Sequence, residues 1–258
     1  MDKRQLHTFL EEWYHKTNQD VFIASDPICI PHRFKKKQDI EIAGFFAAIM
    51  AWGNRATIIN KCSLLMQLMD DSPHDFIRNA LDTDMKRFEG FAHRTMNDTD
   101  VLYLIEFLRQ WYSQHESLEL AFSQKLKPQD ETVYSGLSGF YDQVFSIEPV
   151  SVRTQKHIAN PVKGSACKRL NMYLRWMVRQ DNSGVDFGIW KTIKPSQLVC
   201  PLDVHVQRVA LKLGLLNRKQ SDWTAAATLT KALKEFDSDD PVKYDYALFG
   251  LGLSGFGA

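Results

Sequence analysis

GSACKRLNMYLRWMVR, residues 164–179, places a glycine four positions ahead of a lysine and then runs into helical periodicity. Cys167, Leu170, Leu174 and Met177 recur at three- and four-residue intervals and form one apolar stripe. Gly164 supplies a tight turn and Ser165 is predicted to cap the helix, which puts Lys168 in its first turn. A second short stretch, CPLDVHVQR at 200–208, sets Asp203 behind a proline and ahead of another stripe, Val206, Val209, Ala210 and Leu213. That position is the usual one for a helix-capping carboxylate.

Working outward, the same spacing fills the rest of the chain. Ile42, Phe46, Ile49 and Met50 lie on one side of DIEIAGFFAAIMAWG (39–53). Ile58, Ile59, Cys62, Leu65, Met66 and Met69 do so in 55–70, and Val101, Leu104, Ile105, Leu108 and Trp111 in 98–112. Ser221 is predicted to cap the helix carrying Ala225, Leu229, Ala232 and Phe236. Asp240 and Pro241 are predicted to open the last helix, YDYALFGLGLSG. No segment alternates as a strand does, and 181–202 is the main irregular stretch of the second half. The fold class is all-α, without repeats or low-complexity segments.

The 258 residues are 44% hydrophobic and 24% charged, an ordinary globular balance. No apolar run approaches the roughly 20 residues of a membrane span, and the charged N-terminal stretch does not read as a secretory signal. Cysteines at 29, 62, 167 and 200 form no CxxC pair, so neither a zinc site nor a disulfide framework is indicated and a reducing cytoplasm is expected. The net charge of +1 conceals an asymmetry: residues 151–219 hold thirteen Lys and Arg against three Asp, or +10, leaving −9 elsewhere. Clustered positive charge is the footprint of a phosphate-binding surface, or else a solvated face with no ligand.

Lys168 and Asp203 are the candidate catalytic pair. Unpaired N–H groups at a helix start favour an anion such as a DNA phosphate and disfavour an ammonium, and Lys163, Arg169 and Arg175 push the same way. A lysine with its ordinary pKa is a neutral amine in only about one molecule in 2,500 at pH 7. A nucleophilic amine therefore needs such surroundings, or a base beside it. A capping aspartate stays ionised and is suited to stabilise an oxocarbenium-like sugar or to accept the lysine's proton. His205, two residues on, is a candidate phosphate contact.

KGSACKRLN followed by CPLDVHVQRVALKLGLL resembles the helix-hairpin-helix DNA glycosylase superfamily, which includes endonuclease III and the 8-oxoguanine glycosylases. The resemblance implies two helical lobes with a cleft, one unit over 1–258 with its hairpin and catalytic region at about 156–216. It implies Lys168 as nucleophile, Asp203 as the catalytic aspartate and Gly164 as the first hairpin glycine, with Ser165, Arg169 and His205 on the DNA side. PLDVH is especially similar to the 8-oxoguanine branch, so excision of an oxidised purine with Schiff-base lyase activity is the expected function. The expected partner is duplex DNA with a damaged base, met by a monomer in the bacterial cytoplasm at the nucleoid, with no membrane and no cofactor. The hairpin departs from G-x-G, reading Gly164-Ser-Ala166, and the chain ends where an iron–sulfur cluster would follow, so no cluster or metal is expected. AAIMAWGNRATIINKC (47–62) and YDYALFGLGLSGFG (244–257) are similar to the family's early helix pair and closing helix. The full pattern also resembles an uncharacterised bacterial family placed near this superfamily.

For the base pocket, Trp52 and Arg55 flank a helix break at Gly53-Asn54, Met172 lies one turn beyond Lys168, and Tyr246 and Phe249 sit on the last helix. Core packing is the competing account of each. Trp176 and Trp190 read as structural, and Arg94 as a loop-holding cation. Two other functions remain open: a helix-hairpin-helix DNA-binding module without catalysis, and a helical protein-interaction module.

Overall fold

The computed structural model describes residues 1–149 and 151–256. Thirteen α-helices are found among the described residues, in chain order α1 (Lys3–Thr17), α2 (Asp20–Ile23), α3 (Lys37–Ile49), α4 (Arg55–Leu68), α5 (Pro73–Asn79), α6 (Asp98–Gln114), α7 (Glu119–Ser123), α8 (Tyr134–Val144), α9 (Val152–Gln155), α10 (Lys168–Val178), α11 (Val204–Lys212), α12 (Trp223–Lys234) and α13 (Tyr244–Leu253). The protein is mostly helical, with one small departure. Ala92–His93 and Met96–Asn97 pair as antiparallel strands around Arg94, whose φ of 54° turns the chain. Two residues per strand are too few to print an alternation on the sequence. No helix among the described residues is long and apolar enough to cross a membrane, and all four cysteines are free thiols.

The chain divides into two compact units. One comprises Met1–Ala24, Lys125–Ser138 and Ala159–Ala258; the other, Ser25–Gln124 and Gly139–Ile158. The second is built around α3, buried along 40–49, whose Phe45 meets Phe140, itself stacked on Phe122 at 3.8 Å. Two of its buried carboxylates are held by several hydrogen bonds. Glu41 accepts from the Tyr112 hydroxyl, the Ser117 hydroxyl and the Leu118 N–H. Asp100 accepts from Thr154 and lies 3.1 Å from His157 Nε2.

The first unit is organised by α13, which carries apolar or small residues on nearly every side and is buried at both crossings. A β-carbon on Gly250 would sit 2.2 Å from Thr17 Oγ1 of α1, and one on Gly252 would sit 3.0 Å from His205 Cβ of α11. Glycine is required here by close approach, not by backbone angle. The loop 181–202 lies along α10: the N–H groups of Phe187 and Trp190 donate to the carbonyls of Trp176 and Met177.

Three predicted caps move. Asp222, not Ser221, caps α12 by accepting from Ala225 N. Asp240 heads a 3-10 turn, Pro241–Lys243, before α13 begins, and its carboxylate is taken by Arg179 at 2.8 Å instead of by a helix N–H. Ser165 does not cap α10, for reasons that belong to the site.

Candidate active site

Lys168 is presented by a turn with two left-handed steps. Asn160 accepts from Val162 N, Pro161–Lys163 form one 3-10 turn, and Gly164 closes it at φ +78°. The second step falls on Cys167, at φ +50°, in the position preceding the helix. A non-glycine residue there stores local strain. Ser165 is used to hold it: its hydroxyl accepts from Cys167 N at 3.2 Å, and the Cys167 thiol donates to Ser165 O at 3.4 Å. The predicted Ser165 cap is thus corrected, because the hydroxyl serves the turn and no side chain caps α10. Asn171 reaches back from the helix to donate to Ala166 O at 3.0 Å. Ala166, standing where G-x-G has its second glycine, keeps an ordinary φ, and the left-handed step is displaced by one residue.

Asp203 caps α11 as the sequence predicts. Its Oδ1 accepts from His205 N and Val206 N, both at 2.9 Å. Its Oδ2 is 3.9 Å from Lys168 Nζ. One oxygen holds the helix while the other faces the ammonium. The approach to Asp203 is itself fixed: Pro201 and Leu202 are buried, and Cys200 N donates to Thr230 Oγ1 at 3.0 Å. The Lys168 and Asp203 side chains are 31% and 21% exposed, so both remain reachable by solvent. An ion pair of that length and exposure is worth about 0–1 kcal/mol, too little to account for bringing the two residues together.

Behind this pair lies a buried chain of charges that sequence reasoning missed. Arg175 donates to Asp186 Oδ1 at 3.3 Å and to Asp245 Oδ2. Arg179 donates to Asp240, Asp181 and Asp186 at 2.8, 2.6 and 3.0 Å, and to the Tyr14 hydroxyl at 2.7 Å. Burial raises the Asp245 carboxyl to about 6 despite Arg175, with the charge on Asp203 adding to the rise and Lys168 opposing it. Burial also raises Asp240. At Asp181 burial is outweighed by Ser183, Arg179 and Asn18, which hold its carboxyl well below the usual range. The signal lay in the sequence: of two arginines four apart, Arg175 sits inside the apolar run Leu174–Val178 and Arg179 directly follows it, with Asp181 and Asp186 shortly after. Counting them as surface charge overstated the basic face, since Arg175 and Arg179 are buried and Arg218 is paired with Asp222.

The other candidates distribute as follows. Arg169 is half-buried, and burial pushes its guanidinium below its ordinary value. His205 is exposed, with Nδ1 3.4 Å from Arg208 Nη2. Met172 is buried. Tyr246 is corrected from pocket wall to core: it has no exposed surface, donates to Asp186 Oδ1 at 2.9 Å, and carries the Arg175 guanidinium 4.1 Å above its ring. Phe249 is half-buried and edge-on to Phe22. Trp52 and Arg55 belong to the second unit, where Asn54 caps α4 after Gly53 at φ +100°. There Trp52 stands edge-on to His93 and His157, with Arg94 over its ring at 5.5 Å. Arg94 therefore holds its loop through an indole, not a carboxylate. Among the described residues no His, Cys, Asp and Glu side chains group as a metal site.

Residues 26–254 match a family described as a protein of unknown function, DUF2400. The chain belongs to that family. No curated protein matches the chain, and no solved structure does. The family description names no activity, so the arrangement of Lys168 and Asp203 remains the ground for a functional reading.

Proposed function

We propose that this protein is a DNA base-excision glycosylase with Schiff-base lyase activity, acting on an oxidised purine, 8-oxoguanine first among them. The observation that carries the reading is the Lys168–Asp203 contact at 3.9 Å between two helix starts, with Asp203 Oδ1 committed to α11 and Oδ2 turned to the lysine. On this reading the segment around Gly164 is the hairpin of a helix-hairpin-helix fold, and the helices form two lobes with a cleft. The protein meets duplex DNA as a monomer in the bacterial cytoplasm.

The chemistry needs only these two side chains. The neutral Lys168 amine attacks the sugar C1′ and the bond to the base breaks, the base leaving with the bonding electrons and taking up a proton. Asp203 stabilises the positive charge that develops on the sugar ring. Opening of the ring breaks the C1′–O4′ bond, O4′ takes a proton from solvent, and the C1′–Nζ bond becomes a protonated imine. Loss of the C2′ proton to water then forms the C2′–C3′ double bond, breaks the C3′–O bond, expels the 3′-phosphate with the bonding electrons and nicks the strand. The uncapped start of α10 offers backbone N–H groups to a phosphate. Extruding the base costs a few kcal/mol, least for a damaged one.

Borohydride trapping tests the reading. The protein is mixed with one duplex carrying 8-oxoguanine and another carrying an abasic site, then reduced. A covalent adduct on both, absent in Lys168→Gln, is the expected result. An adduct on the abasic site alone keeps the amine chemistry and removes 8-oxoguanine. Salt-sensitive DNA binding without any adduct replaces the enzyme by a DNA-binding module. Absence of DNA binding overturns both.

A further inference from the structure

Arg33, Lys35, Lys36 and Lys37 put four cations into the five residues RFKKK. They belong to the second unit, which has an acidic surplus overall, thirteen Lys and Arg against sixteen Asp and Glu over 25–124 and 139–158. That surplus does not neutralise the run. Arg33 is paired with Asp71 at 2.7 Å and Lys37 lies 3.9 Å from Glu41, but Lys35 and Lys36 are exposed and have no carboxylate within ion-pair distance among the described residues. Asp39, the next acidic residue along the chain, is engaged elsewhere, its Oδ1 accepting from His74 N at the start of α5. The run also opposes the helix it begins. After the 3-10 turn Pro31–Arg33 the backbone is extended at Phe34 and at Lys36, and Lys36 stands at the N-cap of α3 with no side chain bonded to the first-turn N–H groups. A helix start is the positive end of the dipole and favours acidic side chains. Here it receives Lys36 and Lys37. A local preference broken without a compensating contact is expected at functional surfaces. The mounting is rigid, because α3 is buried from Ile40 to Ile49.

The chemistry selects the partner. An exposed lysine is a mobile point charge, suited to a row of phosphates, whereas one planar carboxylate is better held by an arginine fork. Extended backbone advances about 3.3 Å per residue, close to the roughly 3.4 Å of helix axis per phosphate on each DNA strand. A lipid surface needs an apolar anchor beside the basic residues. The large exposed apolar side chains of this unit are Leu64, Leu81, Leu120 and Val152, and none belongs to the basic run or to the first turn of α3. We propose that Lys35 and Lys36, with Arg33 and Lys37 beside them, form a second contact surface for the phosphate backbone of duplex DNA. The surface takes DNA as its partner from the functional reading and does not depend on Lys168 as nucleophile. Its contacts supply affinity without sequence preference.

Anisotropy titration of a fluorescein-labelled, undamaged duplex with the full-length protein, between about 50 and 200 mM salt, tests it. Lys35→Gln combined with Lys36→Gln is compared with the wild type and with Lys61→Gln combined with Lys86→Gln, which removes the same charge elsewhere on the unit. Two lost phosphate contacts reduce the slope of log K against log salt by about 2 and weaken binding roughly 60-fold near 0.1 M, taking 1 M as the salt at which counterion release contributes nothing. The control pair leaves the slope in place. Because Lys36 opposes the helix dipole, the Lys35–Lys36 variant melts no lower than the wild type; a lower melt would assign these lysines to the fold and overturn the proposal. An unchanged slope in that variant overturns it, as does an equal loss in the control pair, which would make the effect one of net charge. Binding to phosphatidylserine vesicles that the variant loses, with duplex affinity kept, would assign the surface to a membrane and overturn it as well. Borohydride trapping at saturating protein separates this surface from the enzyme reading. An adduct with an unchanged slope keeps the glycosylase and removes the surface. The expected slope change with no adduct on any duplex keeps the surface and removes the glycosylase.

Discussion

Replacing Arg179 by methionine would strip three carboxylates, Asp186 buried and Asp181 and Asp240 half-buried, of a shared partner. The side chain is 1% exposed, and its guanidinium donates to Asp181, Asp186, Asp240 and the Tyr14 hydroxyl at 2.6–3.0 Å. Methionine fills most of the volume, so little of the loss comes from a cavity. The loss comes from charge: deleting one member of a buried pair and leaving the other costs about 3–5 kcal/mol. Asp186 keeps Arg175, which pulls toward the lower end, while Asp181 and Asp240 lose the guanidinium outright, which pulls toward the upper. For a chain of this size the midpoint falls by about 2–4 °C per kcal/mol, or roughly 6–20 °C. The pH dependence discriminates further. Asp181 has a depressed carboxyl in the folded protein, so its contribution is present above the unfolded carboxylate's pKa and is lost as pH falls. Without Arg179 that contribution shrinks, and the stranded carboxylates can neutralise by binding protons. The gap between wild type and variant is therefore wider at pH 7 than at pH 3, below the unfolded carboxylate's pKa. Urea unfolding at the two pH values, followed by far-ultraviolet circular dichroism, measures it. A loss below about 1 kcal/mol, or a gap that does not narrow on acidification, would falsify the account of the buried charges.

Asp203 separates stability from chemistry. Asp203→Asn retains an oxygen for His205 N and Val206 N and should unfold within a few tenths of a kcal/mol of wild type, whereas Asp203→Ala loses about 1 kcal/mol, and both lose trapped adduct. Equal stability of the two variants by thermal melts would contradict the cap. Gly250→Ala forces a methyl to within 2.2 Å of Thr17 Oγ1 and should cost about 1–3 kcal/mol, most of it restored by adding Thr17→Ala, as a double-mutant cycle in urea would show.

Local signals were readable where a single partner decides them. The stripe Cys167, Leu170, Leu174, Met177 is buried along its length, and Asp203 caps the helix that its apolar pattern announces. Where two residues of the same type compete, the sequence does not choose: Ser221 and Asp222 are both capping residues, and the structure uses the second. Where a distant partner intervenes, local reasoning fails for a physical reason. Asp240 has the sequence of a cap, but the Arg179 guanidinium, 61 positions away, takes its carboxylate. Tyr246 has the sequence of a pocket aromatic, but its hydroxyl belongs to Asp186. The charge count of 151–219 could not distinguish a lysine in water from an arginine in the core, because formal charge carries no information about burial. The meeting of Lys168 and Asp203 depends on how the 34 intervening residues fold, and spacing alone does not fix that.

The buried charges also bear on how that meeting is held. Lys168, Arg175 and Arg179 are spaced by seven and four residues, which places all three within about 20° of one line along α10. The face that begins with the half-exposed lysine continues as a row of guanidiniums into the core. The contact at 3.9 Å contributes too little to maintain its own geometry. An apolar row in place of Arg175 and Arg179 would stabilise the unit at least as well, yet Leu and Met side chains repack with little loss when a helix rotates or slides. A planar guanidinium bound to fixed carboxylates does not, because its donors keep their geometry only in one orientation. Arg175 ties α10 to Asp245 on α13, and Arg179 ties it to Asp181 and Asp240 on either side. Rotating α10 by one residue, about 100°, would break each of these bonds before it carried Lys168 away from Asp203. The position of the candidate nucleophile is thus determined two and three turns below it.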